Sequence, residues 1–203
     1  LGHKVVMTPK MSTYLDYTQG DYSVENKIYN DLSLKTAYSF DPVPDFVLDP
    51  ELILGGQGNL WTEAIPSLSF AFYMTYPRAL ALSESFWSTK ESKDWKGFVA
   101  RIDSHFERFD AQNINVAKTI YEPEIKVYKD GRKLMCALKN PFEDIDMFYT
   151  IDNTYPVATG IKYEAPFELP PGVYSLRVQS FRNGEEIERL LRVSRKDLEA
   201  RVK

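Results

Sequence analysis

The stretch from Gly55 to Glu63, GGQGNLWTE, follows the apolar run Leu52, Ile53 and Leu54 and combines two glycines, an indole and a carboxylate. An apolar strand running into glycines, with Trp61 and Glu63 two residues apart, has the form of a barrel strand whose end opens into a binding site. Side chains two apart on an extended segment point the same way, so Trp61 and Glu63 are expected to project together. A flat apolar face beside a fixed acceptor suits a sugar ring, which has C–H faces and hydroxyl edges. The residues alone leave a second reading open, in which Trp61 belongs to the core and Glu63 caps the following helix.

Elements must position these residues. Val5, Val6 and Met7, closed by Thr8 and Pro9, read as a short buried parallel strand, with Tyr14-Leu15-Asp16-Tyr17 in the loop beyond its C-terminal end. On residue type alone Tyr14 is a half-buried packing residue and Asp16 a turn former. Residues 20–50 read as a long connection carrying a short helix around Leu32 to Tyr38, ended by Asp41-Pro42-Val43-Pro44, since proline lacks an N–H and restricts its predecessor. Ile53 to Leu60 is the next predicted strand. Ser67 to Trp87 is helical in composition, with Pro77 at the first turn of its second part. Arg78 and Glu84 on it are expected to pin that helix in place. The clearest helix carries Trp95, Phe98, Val99, Ile102, Phe106 and Phe109 at helical spacing, with Ser92 or Asp94 as cap and His105 as a surface histidine.

From Tyr121-Glu122-Pro123 onward the period changes to alternation. Strands are predicted over 124–128, 132–139, 146–152, 173–182 and 185–193. Asp130-Gly131 and Asn183-Gly184 supply hairpin turns. Several short strands in so short a stretch predict a small antiparallel sandwich. Residues 195–203 are charged, a short helix or a frayed tail.

At 203 residues, 43% hydrophobic and 27% charged, the chain has the composition of an ordinary globular protein of one or two domains. A net charge of −4 with scattered Lys and Arg argues against a nucleic-acid surface. Thirteen Tyr exceed what a core needs, which fits carbohydrate contact and equally an aromatic-rich β-domain. The single Cys136 alternates with Leu134 and Leu138 on one strand face, so a buried inert thiol is expected. Two His without paired spacing give no metal signal, and no apolar run is long enough to span a bilayer. No cofactor is expected. The chain begins at Leu1, which leads to the expectation that further residues precede it.

The chain resembles the C-terminal part of family 20 glycoside hydrolases, the β-N-acetylhexosaminidases. The resemblance rests on Gly2-His3-Lys4-Val5-Val6-Met7, Tyr14-Leu15-Asp16-Tyr17, Ile53-Leu54-Gly55-Gly56-Gln57 through Leu60-Trp61-Thr62-Glu63, and Tyr76-Pro77-Arg78-Ala79-Leu80-Ala81 through Glu84. A looser one, from Phe148 to Gly172, is to the β-sandwich modules attached to hexosaminidases and chitobiases. The implied fold is α/β plus all-β: the last two β/α units of a TIM barrel over residues 1–120, a fibronectin-like antiparallel β-sandwich over 121–194, and a charged tail over 195–203.

The resemblance implies hydrolysis of terminal N-acetyl-β-D-hexosamine residues with the substrate's acetamido oxygen as nucleophile. It gives Tyr14 the acetamido oxygen, Trp61 a wall of the acetamido pocket, and Asp16 and Glu63 the sugar hydroxyls. In the family an adjacent Asp-Glu pair orients the acetamido nitrogen and protonates the leaving oxygen. No such pair in a strand-end context occurs here, the nearest candidates, Asp49-Pro50-Glu51 and Glu143-Asp144, lacking the flanking glycines. The chain alone is therefore expected to supply binding residues but no acid, and to be inactive. An upstream barrel half or a second copy is expected to cover the exposed barrel edge. The partners implied are N-acetylhexosamine-containing glycans, in the bacterial periplasm or outside the cell. The alternatives are a non-catalytic carbohydrate-binding module and a purely structural chain.

Overall fold

The computed structural model describes residues 2–25 and 27–202. The chain divides into two compact units, one of Leu1–Gly20 with Asn26–Ala117, the other of Asp21–Glu25 with Lys118–Lys203.

In the first unit β1 (Val5–Met7) and β2 (Ile53–Gly56) pair in parallel, Val6 opposite Gly55 and Met7 opposite Gly56. Strand β2 is half the predicted length, and Gly55 takes a φ of +132°, outside strand geometry for a side-chain-bearing residue. Pairing nevertheless continues loop to loop. Gln57 N–H donates to the Met7 carbonyl, Asn59 N–H to Thr13, and Leu15 N–H to Asn59, at 3.0, 2.9 and 2.6 Å. The strands were expected to be buried, yet Val5, Val6 and Leu54 are 44%, 46% and 62% exposed, because among the described residues each strand has a single neighbour.

Between the strands lie α1 (Lys10–Thr13) and α2 (Leu34–Ser39), the latter capped by Ser33, whose side chain accepts from Thr36 N–H. After β2 come α3 (Leu68–Thr75), capped by Ser67, and α4 (Arg78–Trp87), with Pro77 one residue earlier than predicted, at the N-cap. Helix α5 (Trp95–Ala111) is capped by Asp94, which accepts from Lys96 and Gly97 N–H. Its predicted stripe is the buried one, through Phe98, Val99, Ile102 and Phe106. His105 beside that stripe is half-buried, and that burial, with Arg108 and Arg101 nearby, lowers its pKa.

The second unit contains two antiparallel sheets. One orders β3 (Glu124–Asp130), β4 (Lys133–Lys139) and β7 (Phe167–Glu168). The other orders β6 (Ile161–Lys162), β5 (Ile145–Thr150), β8 (Ser175–Arg182) and β9 (Glu185–Ser194). The two-residue strands β6 and β7 are too short to leave an alternating pattern. Alternation puts Ile125, Val127, Leu134, Cys136 and Leu138 from one sheet against Leu176, Val178, Leu191 and Val193 from the other. The β3–β4 turn is Gly131-Arg132, one residue beyond the predicted pair, because Asp130 still pairs with Lys133. Asn183 and Gly184, both at positive φ, form the β8–β9 turn as predicted. Residues 195–200 form α6 (Arg195–Ala200), which buries Leu198 in the same core. Asp21–Glu25 belongs here as well. Asp21 binds both Nη atoms of Arg201 at 2.7 and 2.8 Å, and Val24 packs on the core.

Candidate functional site

Tyr14 follows α1, and its backbone pairs in parallel with Asn59. That pairing joins the loop after β1 to the loop after β2. It sets Tyr14 against Trp61, ring centroids 5.9 Å apart and planes at 57°. Trp61 and Glu63 do not project from a strand, since β2 has ended five residues before Trp61 and Glu63 sits in a turn. Trp61 is 48% exposed and Ser67 caps α3, so the indole is not a core residue and Glu63 is not the cap.

Asp16 is 2% exposed, and its Oδ1 has no hydrogen-bond partner. Burial raises its pKa first, opposed by its own N–H and that of Trp61. The Glu63 charge raises it further, and the Arg78 guanidinium lowers it. The carboxylate thus touches the Trp61 backbone and feels Glu63, so the fold brings all four predicted residues together.

Arg78 is fully buried and pins the loop. Its Nη1 donates to the carbonyls of Tyr17 and Leu32 at 2.7 and 3.0 Å, and Nη2 to Leu15 and Met74 at 2.6 and 2.5 Å. Glu84 accepts from the Tyr38 hydroxyl at 2.9 Å and from Arg101 at 2.6 Å, so both residues expected to be structural are so engaged. Sequence reasoning missed the extension of the aromatic wall. Tyr17 packs edge-on to Tyr14 at 5.9 Å, and Tyr29, at a φ of 56°, lies 6.3 Å from Tyr17. The spacing of Tyr14 and Tyr17 was visible; the return of Tyr29 across a loop was not. The Thr8 hydroxyl accepts from the Asn59 amide, which in turn accepts from the Gln57 amide, so the short loop after β2 is cross-linked to that after β1.

A solvent-facing indole, a phenol and two carboxylates, one with an unfilled acceptor, can hold a neutral polyhydroxylated ring. Among the described residues no group of three or more His, Cys, Asp or Glu side chains could hold a metal ion. No helix among them is long and apolar enough to cross a membrane.

Residues 1–90 match the family model described as glycosyl hydrolase family 20, catalytic domain, and residues 137–192 match the model described as Fn3 associated. A β-hexosaminidase of Porphyromonas gingivalis is 32% identical over 178 residues, covering 83% of this chain and 22% of the relative. A β-N-acetylhexosaminidase of Cellulomonas fimi is 29% identical over 114 residues, 54% of this chain and 22% of that protein. The chain thus spans about a fifth of the length of these curated relatives. Among solved structures, a family 20 exo-β-N-acetylglucosaminidase of Vibrio harveyi in complex with N-acetylglucosamine matches with a TM-score of 0.50 at 36% identity, over 55% of this chain and 18% of that one. A β-N-acetylhexosaminidase of Streptomyces coelicolor matches in fold at a TM-score of 0.52 and 22% identity, over 58% of this chain and 24% of that one. By these matches residues 1–90, the segment that carries Tyr14, Asp16, Trp61 and Glu63, are similar to the catalytic domain of glycosyl hydrolase family 20.

Proposed function

We propose that this chain is the C-terminal part of a β-N-acetylhexosaminidase that hydrolyses terminal N-acetyl-β-D-hexosamine residues. In this reading residues 1–120 are the last two β/α units of a (β/α)8 barrel, and 121–194 an accessory β-sandwich. The observation that carries it is the convergence of Tyr14, Asp16, Trp61 and Glu63, with a buried Asp16 oxygen awaiting a donor. Tyr14 donates to the substrate's acetamido oxygen, holding it near the anomeric carbon. Fixing that atom removes orientational entropy from the barrier to its attack. Trp61 packs on the sugar face and lines the acetamido pocket, while Asp16 and Glu63 accept from hydroxyls.

Attack by the acetamido carbonyl oxygen on the anomeric carbon breaks the glycosidic bond and forms a cyclic oxazolinium ion. The leaving oxygen takes a proton from a general acid, and water then opens the ring with retention. The nearest candidates for the acid pair, Asp49-Pro50-Glu51 and Glu143-Asp144, lack the strand-end context and flanking glycines, so in this reading the acid belongs to residues outside these 203. Exposed Val5, Val6 and Leu54 support a sheet continued by upstream strands or by a second copy.

The test is hydrolysis of a chromogenic N-acetyl-β-glucosaminide by this chain and by the same protein extended upstream through a full barrel. Turnover is expected only in the extended form, falling about a hundredfold on Trp61→Ala. Unchanged kinetics in a folded W61A protein would remove Trp61 from the site. Glycan binding without turnover by the folded extended protein would instead indicate a carbohydrate-binding module.

A further inference from the structure

A cavity of about 640 Å³ lies at the far end of α4 from Arg78, between the C-terminal ends of α2 and α4 and the start of α5. Seven residues along a helix separate Arg78 from Ser85, which lines the cavity, roughly 10 Å at the helical rise. None of Tyr14, Asp16, Trp61 and Glu63 contributes to it. Its volume is that of a small-molecule site.

The walls are aromatic. Phe40 and Phe86 meet edge to face at 6.0 Å, and Tyr38 and Trp95 lie 5.3 Å apart. The charges are unevenly matched. Lys90 holds both Asp41, at 3.4 Å, and Asp45, at 2.8 Å. Lys93 is half-buried, and its Nζ donates to the Phe40 carbonyl at 3.0 Å and the Ser85 hydroxyl at 3.2 Å, 5.1 Å from the Tyr38 ring centroid. An ammonium has three donors. Among the described residues no carboxylate lies within ion-pair distance of Lys93, and the Phe40 carbonyl and Ser85 hydroxyl occupy two of its three donors. A second ammonium, Lys35, is 5.8 Å from the Trp95 ring centroid on the same wall, without a carboxylate partner among those residues.

We propose that this cavity binds a small aromatic monocarboxylate, its carboxylate on the third donor of Lys93 and its ring against the Phe40, Phe86, Tyr38 and Trp95 faces. Asp41 and Asp45 are already held by Lys90, so a single carboxylate supplies the counter-charge of the ammonium that donates to Phe40 and Ser85. Burial holds the Lys93 pKa below its ordinary value against the pull of Asp41 and Glu84, as expected of an ammonium lacking a close counter-charge. The bound carboxylate supplies that charge.

Benzoate is the probe, titrated by calorimetry and amide NMR into the 203-residue chain, with benzamide as the neutral isostere and phthalate as the dianion. Saturable benzoate binding is expected, at least about tenfold tighter than benzamide and no weaker than phthalate. Lys93→Met is expected to erase the benzoate preference, and N-acetylglucosamine not to displace benzoate. Equal binding of benzoate and benzamide, or an unchanged preference in a folded K93M protein, overturns the proposal. The wild-type spectra decide independently of that variant. Shifts confined to amides of residues 38–45 and 85–95 support the site, and no saturation, or saturation with shifts elsewhere, overturns it.

Discussion

The guanidinium of Arg78 donates to the backbone carbonyl of Leu15 at 2.6 Å, and Leu15 lies between Tyr14 and Asp16. With the carbonyls of Tyr17, Leu32 and Met74 also on its Nη atoms, one buried side chain on α4 fixes the loop that carries half of the candidate site. Arg78→Met keeps the length and removes the donors, leaving buried carbonyls unpaired. Each such loss costs about 1–3 kcal/mol, so the first unit should lose about 3 kcal/mol or more. Trp61, Trp87 and Trp95 all belong to that unit, so a urea titration followed by tryptophan fluorescence reads it alone. An unmoved midpoint would show that the four hydrogen bonds are dispensable.

The adjacent glycines of β2 answer to different constraints, and one substitution separates them. Gly55 needs its φ of +132°, with open space around it, whereas a Cβ on Gly56 would overlap the Phe86 ring. Gly56→Ala should therefore destabilise the first unit by about 1–3 kcal/mol through overpacking. Phe86→Leu should recover part of the loss in the double variant. Additive losses in the two single variants would exclude the steric account.

The parts legible in the sequence were those with a sustained period. The α5 stripe from Phe98 to Phe106, the alternation of Leu134, Cys136 and Leu138, and the Asn183-Gly184 turn all follow from spacing and local φ preferences. Trp61 and Glu63 were legible as residues but not as geometry. The strand that was to aim them ends at Gly56, and their placement comes from loop pairing through Asn59, which has no period to read. The burial of Asp16 and the return of Tyr29 to Tyr17 likewise depend on contacts distant in sequence. The assignment of Asp21–Glu25 to the second unit could not be read either, because its anchors, Arg189 and Arg201, lie more than 160 residues downstream.

Cys136 is fully buried, and that burial pushes its thiol up to about 11. Arg201 and Arg195 pull the other way but are outweighed. An aromatic disulfide reagent at pH 8 should label it no faster than the second unit opens, with a rate that rises with urea as unfolding does. Rapid labelling of the native chain would contradict a closed sandwich core. Cys136→Ser should cost about 1–3 kcal/mol by burying a hydroxyl in an apolar layer.

Three carboxylates of the second unit share one guanidinium. Glu122 accepts from Arg189 Nε and Nη2 at 2.8 and 2.6 Å, Glu25 from the same Nη2 at 3.0 Å, and Glu188 lies 3.4 Å from Nε. Burial, reinforced by Glu188 and Glu25, outweighs Arg189 and raises the Glu122 pKa from 4.5 to about 7. Glu188 is raised as well, by burial and by Glu25, against Arg189 and Lys118. A carboxyl whose folded pKa lies above its unfolded one favours the protonated native state. Its stabilisation is complete below pH 4.5 and is lost as pH rises through about 7, for Glu122 a change of about 3 kcal/mol. Asp21 acts in another window. Burial opposes ionisation there, but the Arg201 contact prevails and lowers its pKa below 3.8, so that contribution is lost only as the solution becomes more acidic than the 4.5–7 window. Urea unfolding followed by the buried methyls of Val178 and Leu191 should therefore show stability falling from pH 4.5 to 8. Glu122→Gln should flatten most of that slope. A flat wild-type profile would mean that Arg189 holds Glu122 ionised throughout.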